Sequence, residues 1–234
     1  MREFPNEADK FIVEAHYPRG NKQISVKGLS YPEPWEDFKI LRPGYEKYYH
    51  IKPGDVVIDG GAYIGMVACY AAKIVGPKGH VYAFEPIPSN FEAMKHNVFL
   101  NDVEDNTTLK QAALWNVNTE LTLEDKGPES TLMRFTNTDK KLVTAPAVKL
   151  DDYLYSINPR IKVAFIKLDV EGSEIQILMG AKEILESSNV KLAIASYHNH
   201  LGVPTYPDVE KFLKNLGFNV ITECPQHLTT YAWK

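Results

Sequence analysis

The stretch that most constrains this chain is residues 55–75. A short β-branched run, Asp55–Asp59 (DVVID), passes directly into the turn Gly60-Gly61-Ala62-Tyr63-Ile64-Gly65, and helical periodicity follows from about Ile64 to Val75. An apolar strand, a glycine turn and a helix in that order form the first half of a βαβ unit, and the pattern repeats downstream. A second strand, His80–Glu85 (HVYAFE), precedes a helix opened by Pro88-Ser89-Asn90 that runs to about Leu100, with Phe91, Met94, Val98 and the Lys95 stem inward. Thr107–Leu114 reads as a third strand. Lys162–Asp169 (KVAFIKLD) is a fourth, followed by an amphipathic helix Ser173–Ser187 with Ile175, Leu178, Met179, Ile184 and Leu185 inward. Lys191–Tyr197 is a fifth strand, Asp208–Leu216 a helix stopped by Gly217, and Phe218–Glu223 with Leu228–Trp233 an antiparallel closing pair. The fold class is α/β, a doubly wound and mostly parallel sheet.

Two stretches break the rhythm. Thr119–Leu150 alternates with period two and carries Gly127-Pro128, so it reads as a β-rich insertion, with a short helix starting at Asp151. Residues 1–50 hold five prolines and many aromatics without a βα pattern; they read as an N-terminal cover with a hairpin at Gly20-Asn21 and a short helix near Pro43–Ile51. At 234 residues the chain has the length of one large α/β domain. Lys and Arg number 26 against 30 Asp and Glu, a net charge of −4 that offers no general attraction to nucleic acid or anionic lipid. Cys69 and Cys224 fit no disulfide framework or zinc spacing and read as reduced, buried thiols. The opening MREFPNEADK lacks an apolar core, and the apolar stretch Val56 to Val75 is interrupted by Asp59 and glycines. Neither a secretory signal nor a membrane span is expected, and a cytoplasmic location is.

In a doubly wound sheet the ligand sits at the carboxyl ends of the strands, where helix N-termini present free N–H groups. The turn offers Gly60, Gly61, Ala62, Tyr63 and Gly65 there, but a dinucleotide fingerprint ending on Gly60 and Gly65 needs glycine where Ala62 stands. Asp59, read as facing the pocket, would repel a pyrophosphate and attract an ammonium and a sulfonium. Glu85 at the next strand end suits ribose hydroxyls and opposes a 2′-phosphate. S-adenosylmethionine meets these conditions, with Pro86, Ala112 and Asp169 completing the expected cofactor contacts.

The segments VIDGGAYIG (57–65), VYAFEPIPSNFEAMKHNVFLN (81–101), VKLDDYL (148–154) and IKLDVEGSEIQILMGAKEIL (166–185) resemble those of FkbM-type S-adenosylmethionine-dependent methyltransferases. The resemblance implies a class I methyltransferase sheet of seven strands with an antiparallel last strand, in a cofactor-binding domain 53–234 behind an N-terminal cover 1–52. It also implies O-methylation of a hydroxyl on a sugar, polyketide or other secondary metabolite. A hydroxyl acceptor must lose a proton. His198, after the fifth strand, is the first choice of general base, with Asp169 and Glu171 at the end of the fourth. Asp169 could instead hold only a backbone or cofactor amine, and Glu171 and Glu174 could serve only as helix N-terminal charges. No metal is assigned; His198-Asn199-His200 with Asp169 would be a mixed N/O set, for which one H-x-H is thin support. Tyr45, Tyr48, Tyr49 and His50 read as packing residues before sugar-stacking ones, and Asn97 and Asn101 as helix-terminating.

Three alternatives stay open. A nucleic-acid base methyltransferase would use the same cofactor fold, but the Asn/Asp-Pro-Pro-aromatic tetrapeptide is absent; a protein methyltransferase is the related reading. A nicotinamide-dependent reductase meets the objection of Ala62 and Asp59. A non-catalytic subunit that keeps the cofactor pocket would bind without transferring.

Overall fold

The computed structural model describes residues 44–124, 131–132, 142–200, 203–223 and 228–234. The hairpin expected at Gly20-Asn21, most of the 1–52 cover and Cys224 lie outside them. Strands β1 (Val56–Gly60), β2 (His80–Phe84), β3 (Thr107–Lys110), β8 (Phe165–Leu168) and β9 (Lys191–Ala195) pair in parallel; β12 (Asn219–Glu223) and β13 (Thr229–Trp233) form an antiparallel edge pair. The seven-stranded order is β12-β13-β9-β8-β1-β2-β3, with β13 antiparallel to β9; the two-residue strands β10 (Asn199–His200) and β11 (Val203–Pro204) pair with each other apart from it. The chain leaves β1 toward β2 and β3 and returns to β8 on the other side, so a crevice opens at the carboxyl ends of β1 and β8.

Period-two alternation divides the core between the sheet faces. Val57, Val81, Ala83, Phe165, Ala193 and Ala195 pack against Ala68, Cys69, Ala72 and Val75 of helix α1 (Met66–Val75) and Met94 and Val98 of α2 (Pro88–Leu100). Ile58, Phe84, Ile166, Leu168 and Ile194 pack on the other face against α3 (Leu150–Ile157), α4 (Glu174–Gly180), α5 (Lys182–Ser187) and α6 (Tyr206–Asn215). No helix among the described residues is long and apolar enough to cross a membrane. Cys69 is fully buried, and burial pushes its thiol up to about 12, which makes it a packing group.

Several sequence expectations need correction. The single strand over Thr107–Leu114 is two. An Ala112 N–H to Lys110 carbonyl bond of 2.9 Å makes a tight turn after β3 and sends β4 (Ala113–Trp115) into a second sheet. That sheet, ordered β4-β7-β5-β6, is built from the β-rich insertion through β5 (Thr119–Glu124), β6 (Thr131–Leu132) and β7 (Leu142–Lys149). The helix over Ser173–Ser187 breaks at Ala181, so its apolar phase resets: Ile177 is buried, while Met179 is 47% exposed. At that break a Cβ on Gly180 would lie 2.1 Å from the Trp115 carbonyl oxygen, so glycine is what lets α4 meet β4. Lys95 is exposed and pairs with Glu92. Of the helix expected near Pro43–Ile51, the described part holds one helical turn at Gly44–Tyr45, where Lys47 N–H donates to the Gly44 carbonyl, with Tyr45 and Ile51 buried in the core.

Candidate active site

The glycine turn is held by backbone. Asp169 N–H donates to the Gly60 carbonyl at 3.0 Å, and both Gly61 and Ala62 N–H groups donate to Phe84 O at 3.1 and 3.0 Å. Asn97 anchors the far side by donating to Ile64 O at 2.8 Å, so it ties α2 to the turn as well as lying near the end of its helix; Asn101 donates to Asn97 O. Gly61 has φ +70°, and a Cβ there would lie 1.9 Å from the Asp169 carbonyl oxygen. Its smallness thus serves the approach of β1 to the end of β8, beside any ligand it admits. Gly61→Ala should cost at least about 2 kcal/mol of unfolding free energy, since the left-handed backbone alone costs roughly 1–2 and the carbonyl must also move. Gly54→Ala is the control, with φ +88° and nothing within 4 Å, and should show the backbone cost only. Equal losses in thermal or urea unfolding would show that the contact with Asp169 contributes nothing.

The turn opens on a cleft at the carboxyl ends of β1 and β8. Of the residues expected at the cofactor, Gly61, Tyr63, Glu85, Pro86, Ala112 and Asp169 line it, as does Glu171. Gly60, Ala62 and Gly65 shape the turn without lining the cleft. Asp59 requires a correction. Its position on β1 puts it on the same face as Lys167 of β8, directly across in the strand register, and both are buried. Lys167 Nζ is 3.0 Å from Asp59 Oδ1 and donates to the Gly61 carbonyl at 2.8 Å. Asp59 therefore sits beneath the turn as half of an ion pair, not in the cleft. The signal missed was Lys167 itself, a lysine inside the apolar run of a central strand.

Glu85 remains at the cleft wall. Its Oε2 accepts from Tyr63 N–H at 2.9 Å, and its Oε1 accepts from Ile87 N–H at 3.0 Å and Asn90 Nδ2 at 3.1 Å. Burial raises its carboxyl from 4.5 to about 7 against the pull of these donors. Tyr63 and Glu171, both on the cleft, hold left-handed backbone with φ 53° and 52°, a cost that non-glycine residues sustain mostly at functional sites.

At the β8 end the structure gathers Asp169, Glu171 and His198. Tyr45, a residue without a sequence signal for this role, donates its hydroxyl to Asp169 Oδ2 at 2.9 Å. His198 is 6% exposed; its Nδ1 is 2.6 Å from Oε1 of the fully buried Glu174, which also accepts from Gly172 N–H at 3.1 Å. Nε2 lies 3.4 Å from Asp169 Oδ1 and 3.4 Å from Glu171 Oε1, without hydrogen-bond geometry to either. Burial would lower the imidazole, but Asp169, Glu171 and Glu174 outweigh it and hold His198 up at about 12. Removal of water would raise Asp169, but His198, Lys167 and Tyr45 hold it well below the usual carboxylate range. The three carboxylates around the ring favour its protonated form, and the Nε2 edge faces Asp169 and Glu171. Glu174 is a positioning partner of the ring as well as a helix N-terminal charge. The side chain of His200 lies outside what is described. Tyr48 stacks on Trp233, and Tyr49 on Phe165 with its hydroxyl on Asp55, so both are packing residues.

The family model of the methyltransferase FkbM domain matches residues 59–220, which include the turn, the cleft and the β8 cluster. This chain belongs to the FkbM methyltransferase family. Among curated relatives it is 26% identical to the 31-O-demethyl-FK506 methyltransferase FkbM of Streptomyces tacrolimicus, over 89% of this chain and 86% of that protein. It is likewise 26% identical to Methyltransferase 1 of Beauveria bassiana (strain ARSEF 2860), over 77% and 80% of the two chains. The fold is shared with the crystal structure of methyltransferase FkbM from Methylobacillus flagellatus KT, with TM-score 0.60, 18% identity and 80% of this chain covered. The match spans 46% of that crystallised chain, less than half its length. A Methanococcus jannaschii fibrillarin pre-rRNA processing protein matches at TM-score 0.54 and 15% identity, over 96% of this chain and 86% of that one.

As an FkbM methyltransferase the chain uses S-adenosylmethionine, and the residues present fit it. A carboxylate offers about four acceptor sites, of which Glu85 uses three on protein donors, leaving capacity for a ribose hydroxyl. Beside it Pro86, Ile87, Ala112 and Leu114 give the cleft an apolar wall suited to a purine. At the other end of the cleft stand the carboxylates of Asp169 and Glu171. Trp115, Leu121 and Leu123 of the second sheet also line the cleft, and no local sequence pattern marked them.

Proposed function

We propose that this methyltransferase O-methylates a hydroxyl group on a sugar or small secondary metabolite. The observation that carries the reading is the Asp169, Glu171 and His198 cluster, two of whose members line the same cleft as Glu85. When bound, S-adenosylmethionine supplies an activated methyl group on a sulfonium, so the chain is left to position the acceptor and take its proton. Carboxylate oxygens of Asp169 and Glu171 are acceptors for an incoming O–H. Tyr45 fixes the Asp169 carboxylate, and Glu174 fixes His198. The O-demethyl substrate in the name of the Streptomyces relative supports transfer to oxygen.

A small neutral acceptor suits this cleft better than nucleic acid, because Glu85, Asp169 and Glu171 would repel phosphates. Tyr197, 41% exposed beside His198 with ring centroids 4.1 Å apart, offers an aromatic surface for a sugar or carbocycle. In this reading residues 1–52 cover the acceptor side of a methyltransferase domain 53–234. Support at their described end comes from Tyr45, buried and bonded to Asp169.

The test is incubation with methyl-labelled S-adenosylmethionine and fractionated small hydroxylated metabolites, with RNA and protein fractions in parallel. Label recovered as an O–CH3 resonance in the small-molecule fraction is the expected result. Label confined to RNA or protein, or cofactor binding without transfer to any fraction, overturns the reading.

A further inference from the structure

We propose that Asp169, Glu171 and His198 form a binding site for one divalent metal ion, with Asp169 Oδ1, Glu171 Oε1 and His198 Nε2 as ligands. The site stands on the geometry alone; its role in catalysis rests on the hydroxyl-methylation reading above. The three donor atoms lie within 4.8 Å of one another. Metal–oxygen and metal–nitrogen bonds of about 2.1 Å meeting at a tetrahedral angle place neighbouring ligand atoms about 3.4 Å apart. Nε2 stands 3.4 Å from each of the two carboxylate oxygens.

The ring nitrogen is what separates this group from an ordinary acidic cluster. His198 is 94% buried, being 6% exposed, and its Nε2 faces two carboxylates with hydrogen-bond geometry to neither. Its other nitrogen is committed to Glu174 at 2.6 Å, the carboxylate–imidazole arrangement that orients a metal-ligating histidine and raises its basicity. The Asp169 carboxylate is also held: Tyr45 takes Oδ2 and leaves Oδ1 toward the ring. The left-handed Glu171 and Gly172, φ 52° and 92°, turn the chain between β8 and α4.

Asp169 and Glu171 line the cleft, which gives an ion an entry path and leaves open coordination positions toward an acceptor. Two carboxylates and one imidazole suit a first-row divalent ion of intermediate softness, such as Mn²⁺ or Zn²⁺. With a hydroxyl oxygen in an open position, the ion would acidify it; the proton would pass to water in the cleft, the O–CH3 bond would form as the S–CH3 bond breaks, and S-adenosylhomocysteine would leave.

The full chain, stripped with chelator, is titrated with Mn²⁺ and separately with Zn²⁺, followed by calorimetry and, for Mn²⁺, electron paramagnetic resonance. One ion per chain is expected. Glu171→Gln and His198→Gln should lose at least tenfold in affinity, and Glu174→Gln 10–100-fold as a positioning residue. Far-ultraviolet circular dichroism and urea unfolding check that each variant is folded; should His198→Gln not fold, the partly exposed Glu171→Gln decides. Absence of binding of both ions to the wild type, or wild-type affinity in Glu171→Gln, overturns the site. Methyl transfer assayed with and without chelator separates the two proposals. Transfer that persists in a chain binding no ion removes the metal and keeps the hydroxyl reading. An ion bound through these residues without transfer to any hydroxyl keeps the site and removes that reading.

Discussion

Lys167→Met should lower the unfolding free energy by about 3–5 kcal/mol, the usual cost of leaving one partner of a buried ion pair alone. For a domain of this size that corresponds to a fall in Tm of roughly 6–20 °C. Asp59 is fully buried and Lys167 is 4% exposed, with 3.0 Å between Nζ and Oδ1. The contact is electrostatic: neither Asp59 oxygen accepts a hydrogen bond, so without the ammonium a fully buried carboxylate near Cys69 would be left uncompensated. Asp59→Asn should cost less, because Lys167 would keep the Gly61 carbonyl at 2.8 Å and the Gly60 carbonyl at 3.4 Å. The double variant Asp59→Leu/Lys167→Met should recover most of the loss, since an apolar pair of similar volume removes both desolvated charges. Urea unfolding of the three variants checks the ordering. A loss under about 1 kcal/mol in Lys167→Met would mean that water reaches Asp59, and the pair would then be worth no more than a surface one.

The same pair shows where reading the sequence stops. Parallel strands buried on both faces leave continuous apolar runs, so DVVID, HVYAFE and KVAFIKLD disclosed the strands, their parallel order and the glycine turn. An acidic residue at a strand end looks identical in sequence whether it projects into the crevice or beneath it. What decides for Asp59 is the cross-strand register with Lys167, 108 positions away, and strand register is not a local property. His198 repeats the lesson, since its position after a strand is visible but its charge is set by carboxylates on another strand and helix. The division of Thr107–Leu114 turned on one Ala112 to Lys110 hydrogen bond inside an otherwise strand-like run. By contrast Glu85 was legible from spacing alone, because a carboxylate one residue past an apolar strand in a doubly wound sheet has few places to go.

Glu85 also carries the second large expectation. Affinity for S-adenosylhomocysteine should rise with pH up to about 7 and level off above, and Glu85→Gln should bind at least tenfold more weakly with no such rise. Burial raises the free carboxyl from 4.5 to about 7. Hydroxyl donors favour the ionised form, so a ligand whose ribose hydroxyls bond to Glu85 lowers that pKa again, and binding releases a proton wherever the free enzyme still holds one. The sign for stability is opposite. A carboxyl whose folded pKa is raised contributes stability that is fully present below 4.5 and lost as pH rises through about 7, so the free enzyme weakens over the interval in which binding strengthens. Tenfold in affinity is about 1.4 kcal/mol, less than the 1.5–3 of one charge-assisted bond, so the effect is within what a single ribose contact can deliver. The glutamine variant separates charge from shape. Its amide can accept from only one of the sides served by Tyr63, Ile87 and Asn90, and the end carrying NH₂ turns a donor toward donors. Calorimetry at pH 5.5, 6.5 and 7.5 in two buffers of different ionisation enthalpy reads both affinity and proton release. A pH-independent wild type, or a Glu85→Gln variant with the wild-type pH profile, would remove Glu85 from the ribose end of the cleft.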